Sequence, residues 1–297
     1  MHKLKPANKV QRIFAAFMDL MIAFLLATIL SSFIVNPLFV NSTSYQESYS
    51  VYENGLLSTQ LYQKDENNGQ KLTCVIDLLN QDGTVMFNVE KISEYDEKLV
   101  SFYSNYSNEK VEEYQNTKET SNVYIKNASN EYVVIETVNV NDAYNFFATS
   151  YVNATKYFFT QNESVNEAYY VLSLTSTYAT IIPTGISLLI CYILMPLLFK
   201  DGQTIAKKLF SLKVVSLKED KILTKKQIIL RELFFVFVEI VLSYFTYFIP
   251  IIISILFVLM NKNHLSLHDY VGQTYVIDTL SVEQKKDNVI DVDVKEL

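Results

Sequence analysis

RIFAAFMDLMIAFLLATILSSFIV, residues Arg12 to Val35, sets a basic residue at the mouth of a long apolar run and one carboxylate, Asp19, inside it. At ~1.5 Å rise per residue, Ile13 to Val35 reaches across a hydrocarbon layer of ~30 Å, the length of a membrane-spanning helix. Asp19 lies about two turns inside the run, where an unpartnered carboxylate costs ~2.5 to 3.5 kcal/mol. Arg12 falls on nearly the same helical face but ~10 Å away along the axis, too far for a direct ion pair, so Asp19 needs another partner.

Two further apolar runs, roughly Tyr178 to Phe199 and Ile228 to Met260, divide the rest of the chain. The 49% apolar content is concentrated in these runs, which makes the chain an integral membrane protein by composition. The net charge of −7 is also unevenly spread. Residues 1–12 carry four Lys/Arg and no acid, residues 200–231 nine Lys/Arg against three acids, and residues 37–170 eight Lys against nineteen acids. Short basic flanks stay in the cytoplasm, so the N-terminus and the 200–227 loop are expected inside and the acidic middle outside. A signal peptide is disfavoured: the run is too long, holds Asp19 and lacks a small-x-small cleavage site. Cys74 and Cys191 lie in different regions, so no disulfide and no metal set is expected.

Residues 36–172 form an insert long enough to fold as its own extracytoplasmic α+β domain. Helical spacing is expected over Asn41 to Lys64, Glu94 to Tyr114, and Asp142 to Phe159 with Asp142 as N-cap. Hairpins are expected for Leu72 to Leu79 with Val85 to Ile92, and for Val123 to Lys126 with Tyr132 to Val138. The many tyrosines fit a modest core better than a ligand-binding face. His2, His264 and His268 all lie outside the insert and no paired carboxylate or nucleophile–base set occurs in it, so catalysis and resident cofactors are not expected.

The second membrane helix, within 173–199, contains Pro183, Gly185 and Pro196; its Thr180, Thr184, Ser187 and Tyr192 could hydrogen-bond Asp19 across a helix interface. The run after it, Gly202-Gln203-Thr204-Ile205-Ala206-Lys207-Lys208-Leu209-Phe210-Ser211-Leu212-Lys213-Val214-Val215, lacks the second Gly and the Lys-Ser/Thr pair of a phosphate loop. As a basic segment it suits anionic lipid at the inner leaflet, at ~1 kcal/mol per charge.

Arg12, Asp19, the GQTIAKKLFSLKVV stretch, Arg231 at the start of the last apolar run, and Leu267-His268-Asp269 before Thr274-Tyr275-Val276 together resemble the RDD family of membrane proteins. The family's one Arg and two Asp match Arg12, Asp19 and Asp269. The resemblance covers about 8–36 and 172–280, not the insert. Ala206 stands where the family's loop usually has Gly, and the insert is longer than the usual connection. The resemblance implies a membrane protein taking part in transport, with cation/proton exchange one activity ascribed to some members.

The run 228–260 would be ~50 Å as one straight helix, so it must bend or split. A hairpin turning between Ser243 and Pro250 is preferred over an interfacial helix followed by one crossing. It returns the 261–280 segment to the cytoplasm, where Lys213-Val214-Val215 can pair with Tyr275-Val276-Ile277 as a small β element. Glu232 and Glu239 share one face, so the candidate binding cluster is Asp19 and Glu239 with Arg231 or Arg12 nearby. Asp269 is expected to accept backbone N–H groups at a helix start. The 281–297 tail reads as disordered. The fold expected is an α-helical multi-pass membrane protein of the cell membrane with an inserted α+β domain. Its partners would be the lipid bilayer and a small ion or ligand, with no nucleic acid. The alternative is a non-transporting assembly or receptor subunit whose insert binds an extracellular protein.

Overall fold

A computed structural model describes residues 6–218 and 222–279, so the expectation for the 281–297 tail lies outside the described residues. The chain divides into two units, Met1–Leu38 with Thr177–Leu297, and Phe39–Ser176.

The first unit is held by helices whose usual burial pattern is reversed. Helix Lys9–Leu30 starts at Asn8, whose side chain accepts from the Val10 amide, and it buries Arg12, Ala15, Asp19, Ala23 and Ala27. That stripe recurs every three or four residues, so it is one helical face, made of small and charged side chains. Its large apolar side chains point outward instead, with Phe17 57%, Phe24 70% and Phe33 78% exposed. In water a contiguous apolar surface of this kind would drive association, whereas in lipid it is the face that the acyl chains cover. Small residues inward let a neighbouring backbone approach, and Ser187 uses this by donating its hydroxyl to the Ala23 carbonyl.

Two helical stretches among the described residues are long and apolar enough to cross a membrane, Lys9–Val40 and Glu163–Leu198. Each contains one π-helical segment, Ser31–Val35 and Ile190–Leu194. The second stretch begins well before the 173 expected from hydropathy, because Glu163–Leu189 is one continuous helix with Pro183 inside it.

The last apolar run does turn back on itself. Helix Lys225–Phe234 starts at a reciprocal capping box of Thr224 and Gln227, then continues through a π-helical segment, Phe235–Val241, into Leu242–Phe245. Tyr247 and Phe248 take the left-handed conformation (φ 50° and 64°), and the Phe248 amide donates to the Ser243 carbonyl at 2.8 Å. The returning helix Ile249–Met260 has Pro250 in its first turn, where the missing N–H costs nothing. Its twelve residues extend ~18 Å, well short of a full hydrocarbon thickness. Beyond it, helix Leu267–Gly272 leads into strand Thr274–Asp278. This strand pairs antiparallel with Leu212–Ser216, with Lys213 opposite Ile277, Val214 opposite Val276 and Val215 opposite Tyr275. The Ala7 amide adds to its far edge by donating to the Val276 carbonyl at 3.0 Å.

The second unit is mixed α and β. Its helices are Thr43–Ser58, Ile92–Ser104, Asn108–Thr117 and Val140–Gln161. Three boundaries differ from the periodicity reading. The Glu94 to Tyr114 pattern is two helices, because Ser107 takes extended backbone and caps the second through the Lys110 amide. Asn139, not Asp142, caps the last helix, since its side chain accepts from the Asn141 amide. The strand Lys71–Cys74 pairs backwards with Tyr62–Asp65 and leaves only a Leu79–Val85 bridge in the expected hairpin. The buried Asp65 carboxylate accepts from the Asn67 and Leu79 amides at 3.0 Å each. The second hairpin forms, Tyr124–Lys126 against Tyr132–Val134.

The tyrosines of this unit build its core. Tyr95, Tyr103, Tyr114, Tyr124 and Tyr151 are buried among Leu99, Phe102 and Phe147. Two of their hydroxyls are used locally, Tyr151 donating to the Tyr95 carbonyl at 3.2 Å and Tyr114 to Asp96 at 2.6 Å, while the buried Tyr124 hydroxyl has no hydrogen-bond partner among the described residues. Buried Lys118 pairs with the same Asp96 and lies over the Tyr124 ring at 4.8 Å, a desolvated cation–π contact. Leu99→Ala is expected to lower the stability of this unit by ~2–5 kcal/mol, while Val152→Ala, on an exposed position, changes it by less than ~0.5 kcal/mol. Urea unfolding of the full chain in detergent, followed by circular dichroism, measures both.

Candidate functional site

The charged residues of the first unit converge on Asp269. Helix Leu267–Gly272 begins at Ser266, whose amide and hydroxyl donate to Asp269 Oδ2 at 3.0 and 2.7 Å. Ser266 and Asp269 thus form a capping box, the acid three residues on from the cap reaching back to it. The carboxylate then holds two arginines from elsewhere in the chain. Arg12 Nη2 donates to Oδ2 at 2.5 Å and Arg231 Nε to Oδ1 at 3.1 Å. Arg12 also donates to the His264 carbonyl, and the His264 ring contacts the Ala7 carbonyl at 2.9 Å. Asp269 is wholly buried. Burial alone would raise its pKa, but the Arg12 and Arg231 guanidinium groups outweigh it and hold the carboxyl well below its ordinary value.

Asp19 finds its partner outside the second apolar helix. Thr204 donates its hydroxyl to Asp19 Oδ2, and the Ala206 amide donates to Oδ1 at 2.9 Å. Thr204 is itself the cap of the short helix Ile205–Leu209, accepting from the Lys207 amide at 3.3 Å. Asp19 therefore sits against the unsatisfied N–H groups of a helix start, which stabilise a carboxylate. Three of the hydroxyls expected to serve it do not. Thr184 donates to the Thr180 carbonyl and Ser187 to the Ala23 carbonyl. Among the described residues the buried Tyr192 hydroxyl has no hydrogen-bond partner.

Arg231 extends the network to Glu232 through Nη1 at 2.8 Å, and Lys207 Nζ reaches the same Glu232 oxygen at 3.3 Å. Burial and the adjacent Arg231 push the Lys207 ammonium below its ordinary pKa, against the pull of Glu232, Asp19 and Asp269. Glu239, across the π-helical segment, accepts from the His268 amide at 2.9 Å and pairs with His268 Nδ1 at 3.0 Å.

The cluster expected from the sequence, Asp19 and Glu239 with an arginine beside them, is thus corrected in its pairing. Asp19 and Glu239 each have separate partners, and both arginines serve Asp269 instead. Glu232 and Glu239, read as one face, take different partners, Arg231 and Lys207 for Glu232 and His268 for Glu239. Thr204 and Lys207 fall in the basic loop and His268 in the Leu267-His268-Asp269 motif, but none of them was given these partners, and Ser266 was not singled out. Ser-x-x-Asp before an apolar helix was the legible signal for Ser266 and Asp269; for Lys207 nothing short of the tertiary contact marks it.

Glycine makes the close approach possible. A Cβ on Gly272 would stand 2.7 Å from Arg231 Cβ and 3.2 Å from the Gln227 carbonyl.

A cavity of about 480 Å³ opens beside this network. Its lining is mainly apolar, with Phe17, Leu20, Phe248, Ile251 and Ile255 among the walls, and Arg12, Lys207, Arg231 and His268 border it. Among the described residues no group of His, Cys, Asp and Glu has the arrangement of a metal site.

Apolar faces turned outward over a buried ionic core define a helical membrane protein. The sequence profile of the RDD family matches residues 140–273, and the resemblance holds over that stretch. The matched segment takes in Arg231, Glu239 and Asp269 but not Arg12 or Asp19, and it begins inside the insert, earlier than the motifs suggested. No curated protein and no solved structure matches the chain.

Asp269→Asn leaves two buried guanidinium groups without their carboxylate, and a stability loss of ~3–5 kcal/mol is expected. A carboxyl held below its ordinary pKa contributes stability fully above the unfolded value of ~3.8, and that contribution is lost only as pH falls further toward the folded value. The gap in melting temperature between wild type and Asp269→Asn is accordingly flat from pH 8 to pH 5; a gap that closes across this range contradicts the pairing. Gly272→Ala is expected to cost ~1–3 kcal/mol by overpacking against Arg231, read in the same melting experiment.

Proposed function

We propose that this chain is a multi-pass protein of the cell membrane, N-terminus in the cytoplasm, that moves or senses a small cation or proton through the buried network around Asp19. The supporting observation is a charge imbalance. Asp19, Glu232, Glu239 and Asp269 face Arg12, Lys207 and Arg231 at or near the core, so the network is one cation short unless His268 is protonated. A buried charge without a counterion costs several kcal/mol, so the network favours taking up one positive charge. Asp19 has the loosest tie to that network. Its partners are a hydroxyl and an amide, neither of which carries a full charge. The unpartnered Tyr192 hydroxyl lies in the same core cluster as Ala23, one turn along from Asp19. It offers a further oxygen for a cation or a proton relay.

In this reading the protein acts by binding. The second reading, a receptor or assembly subunit, draws on the insert having a core of its own. In that case the surface of residues 39–176 recognises an extracellular protein and the helical unit anchors it.

The two readings separate in reconstituted vesicles. Asp19→Asn keeps the Thr204 and Ala206 contacts sterically feasible but removes the charge, and it is expected to abolish pH- or Na⁺-dependent flux by at least about tenfold with an unchanged circular dichroism spectrum. Flux equal to wild type in this variant removes Asp19 from the path. No flux in the wild-type protein, with a partner retained by the insert in a pull-down, favours the receptor.

A further inference from the structure

We propose that the cavity between the first helix and the hairpin is a binding site for one anionic phospholipid of the surrounding bilayer, its phosphate against Arg12, Lys207 and Arg231 and one acyl chain along the apolar wall.

Charge separation across the cavity wall supports the headgroup. The network as a whole holds an excess of carboxylates, yet Asp19, Glu232, Glu239 and Asp269 are all absent from the lining, while the three cations are present in it. The carboxylates are absent from the lining, so the charged side chains bordering the cavity are cationic. Their N–H donors are only partly used. Arg231 gives Nε to Asp269 and one hydrogen of Nη1 to Glu232, which leaves Nη2. Arg12 gives one hydrogen each from Nη1 and Nη2 to His264 and Asp269, which leaves Nε. Lys207 has a single carboxylate contact, at 3.3 Å, among its three ammonium hydrogens. A phosphate can accept several of these bonds at once, and guanidinium groups suit it geometrically.

The antiparallel packing of the two walls sets the order of residues along the cavity. Lys9 donates to the Leu259 carbonyl and Arg12 to that of His264, so the start of the first helix lies at the end of Ile249–Met260. Leu20, farther along the first helix, then lies toward Phe248 and Ile251. Arg12, Ser266 and Val258 lie toward one end of the cavity, and Leu20, Tyr244 and Phe248 toward the other. From Val258 to Ile251 this wall runs ~10 Å and is apolar apart from Ser254, whose hydroxyl accepts from the Leu267 amide, which accommodates a stretch of acyl chain. A volume of about 480 Å³ is that of a ligand site. The rim residues Phe17 and Phe248 are 57% and 61% exposed on the outward apolar face. The opening is thus toward lipid, which gives a bilayer lipid access that a water-soluble anion lacks. This inference uses the cavity wall and not Asp19, so it stands or falls apart from any flux.

Native mass spectrometry of the full chain, delipidated in detergent and titrated with phosphatidylglycerol or phosphatidylcholine of the same chain lengths, tests it. One retained phosphatidylglycerol per chain is expected, with phosphatidylcholine held at least about tenfold more weakly. Lys207→Gln is expected to weaken phosphatidylglycerol about fivefold, and Ile255→Trp, which fills the apolar wall, to abolish its retention. Free glycerol 3-phosphate at the same concentration is expected not to displace the lipid. Equal retention of the two lipids overturns the proposal, as does unchanged phosphatidylglycerol retention in both variants. Displacement by glycerol 3-phosphate alone also overturns it, in favour of a soluble anion. If Ile255→Trp does not fold, the Lys207→Gln comparison decides alone.

Discussion

The Asp269 carboxylate, buried between Arg12 and Arg231, is the contact on which the helical unit depends. It joins three parts of the chain that sequence separates widely: the start of the first helix, the start of the hairpin and the short helix after it. Because both of its oxygens are also held by the Ser266 cap or by an arginine, the carboxylate has little freedom to reorient. A buried ion pair of this kind contributes little over apolar packing as stability, but once built it cannot lose one member cheaply. It fixes which helix ends meet.

The rest of the unit follows from placing charge inside and hydrocarbon outside. Ala15, Ala23 and Ala27 give the first helix a face on which neighbours pack closely, and Gly272 does the same for the contact with Arg231. Three π-helical segments lie in the three apolar stretches. The one at Phe235–Val241 carries Glu239, which faces His268, while Glu232, in the α-helix before it, meets Arg231 and Lys207. The paired strands Leu212–Ser216 and Thr274–Asp278 close this end of the unit by joining the loop after one helix to the segment after the hairpin.

The insert builds its core in a different way, with a modest supply of aliphatic side chains. Tyrosine supplies the missing core area, and each buried ring brings a hydroxyl to be satisfied. Asp96 answers that need for Tyr114 and is neutralised by Lys118, so a carboxylate and an ammonium are buried as part of an aromatic core.

Much of the helical unit was written in local sequence. The length of the Ile13 to Val35 run, the turn between Ser243 and Pro250, and the pairing of Lys213-Val214-Val215 with Tyr275-Val276-Ile277 all follow from hydropathy, chain reversal and β-propensity, which are local quantities. The identity of the charged residues, Arg12, Asp19, Arg231, Glu239 and Asp269, was equally legible, because a charge in an apolar context stands out. Their pairing was not. Asp19 lies against Thr204 and Ala206, and two arginines share Asp269, because ion pairs are chosen by which helix ends come within ~4 Å after packing, and spacing along one helix carries no record of that. The same holds for the insert, where Lys71–Cys74 pairs with Tyr62–Asp65 and the buried Asp65 carboxylate holds the Leu79 amide. Local pattern set the elements and marked the charges; tertiary packing assigned each charge its neighbour.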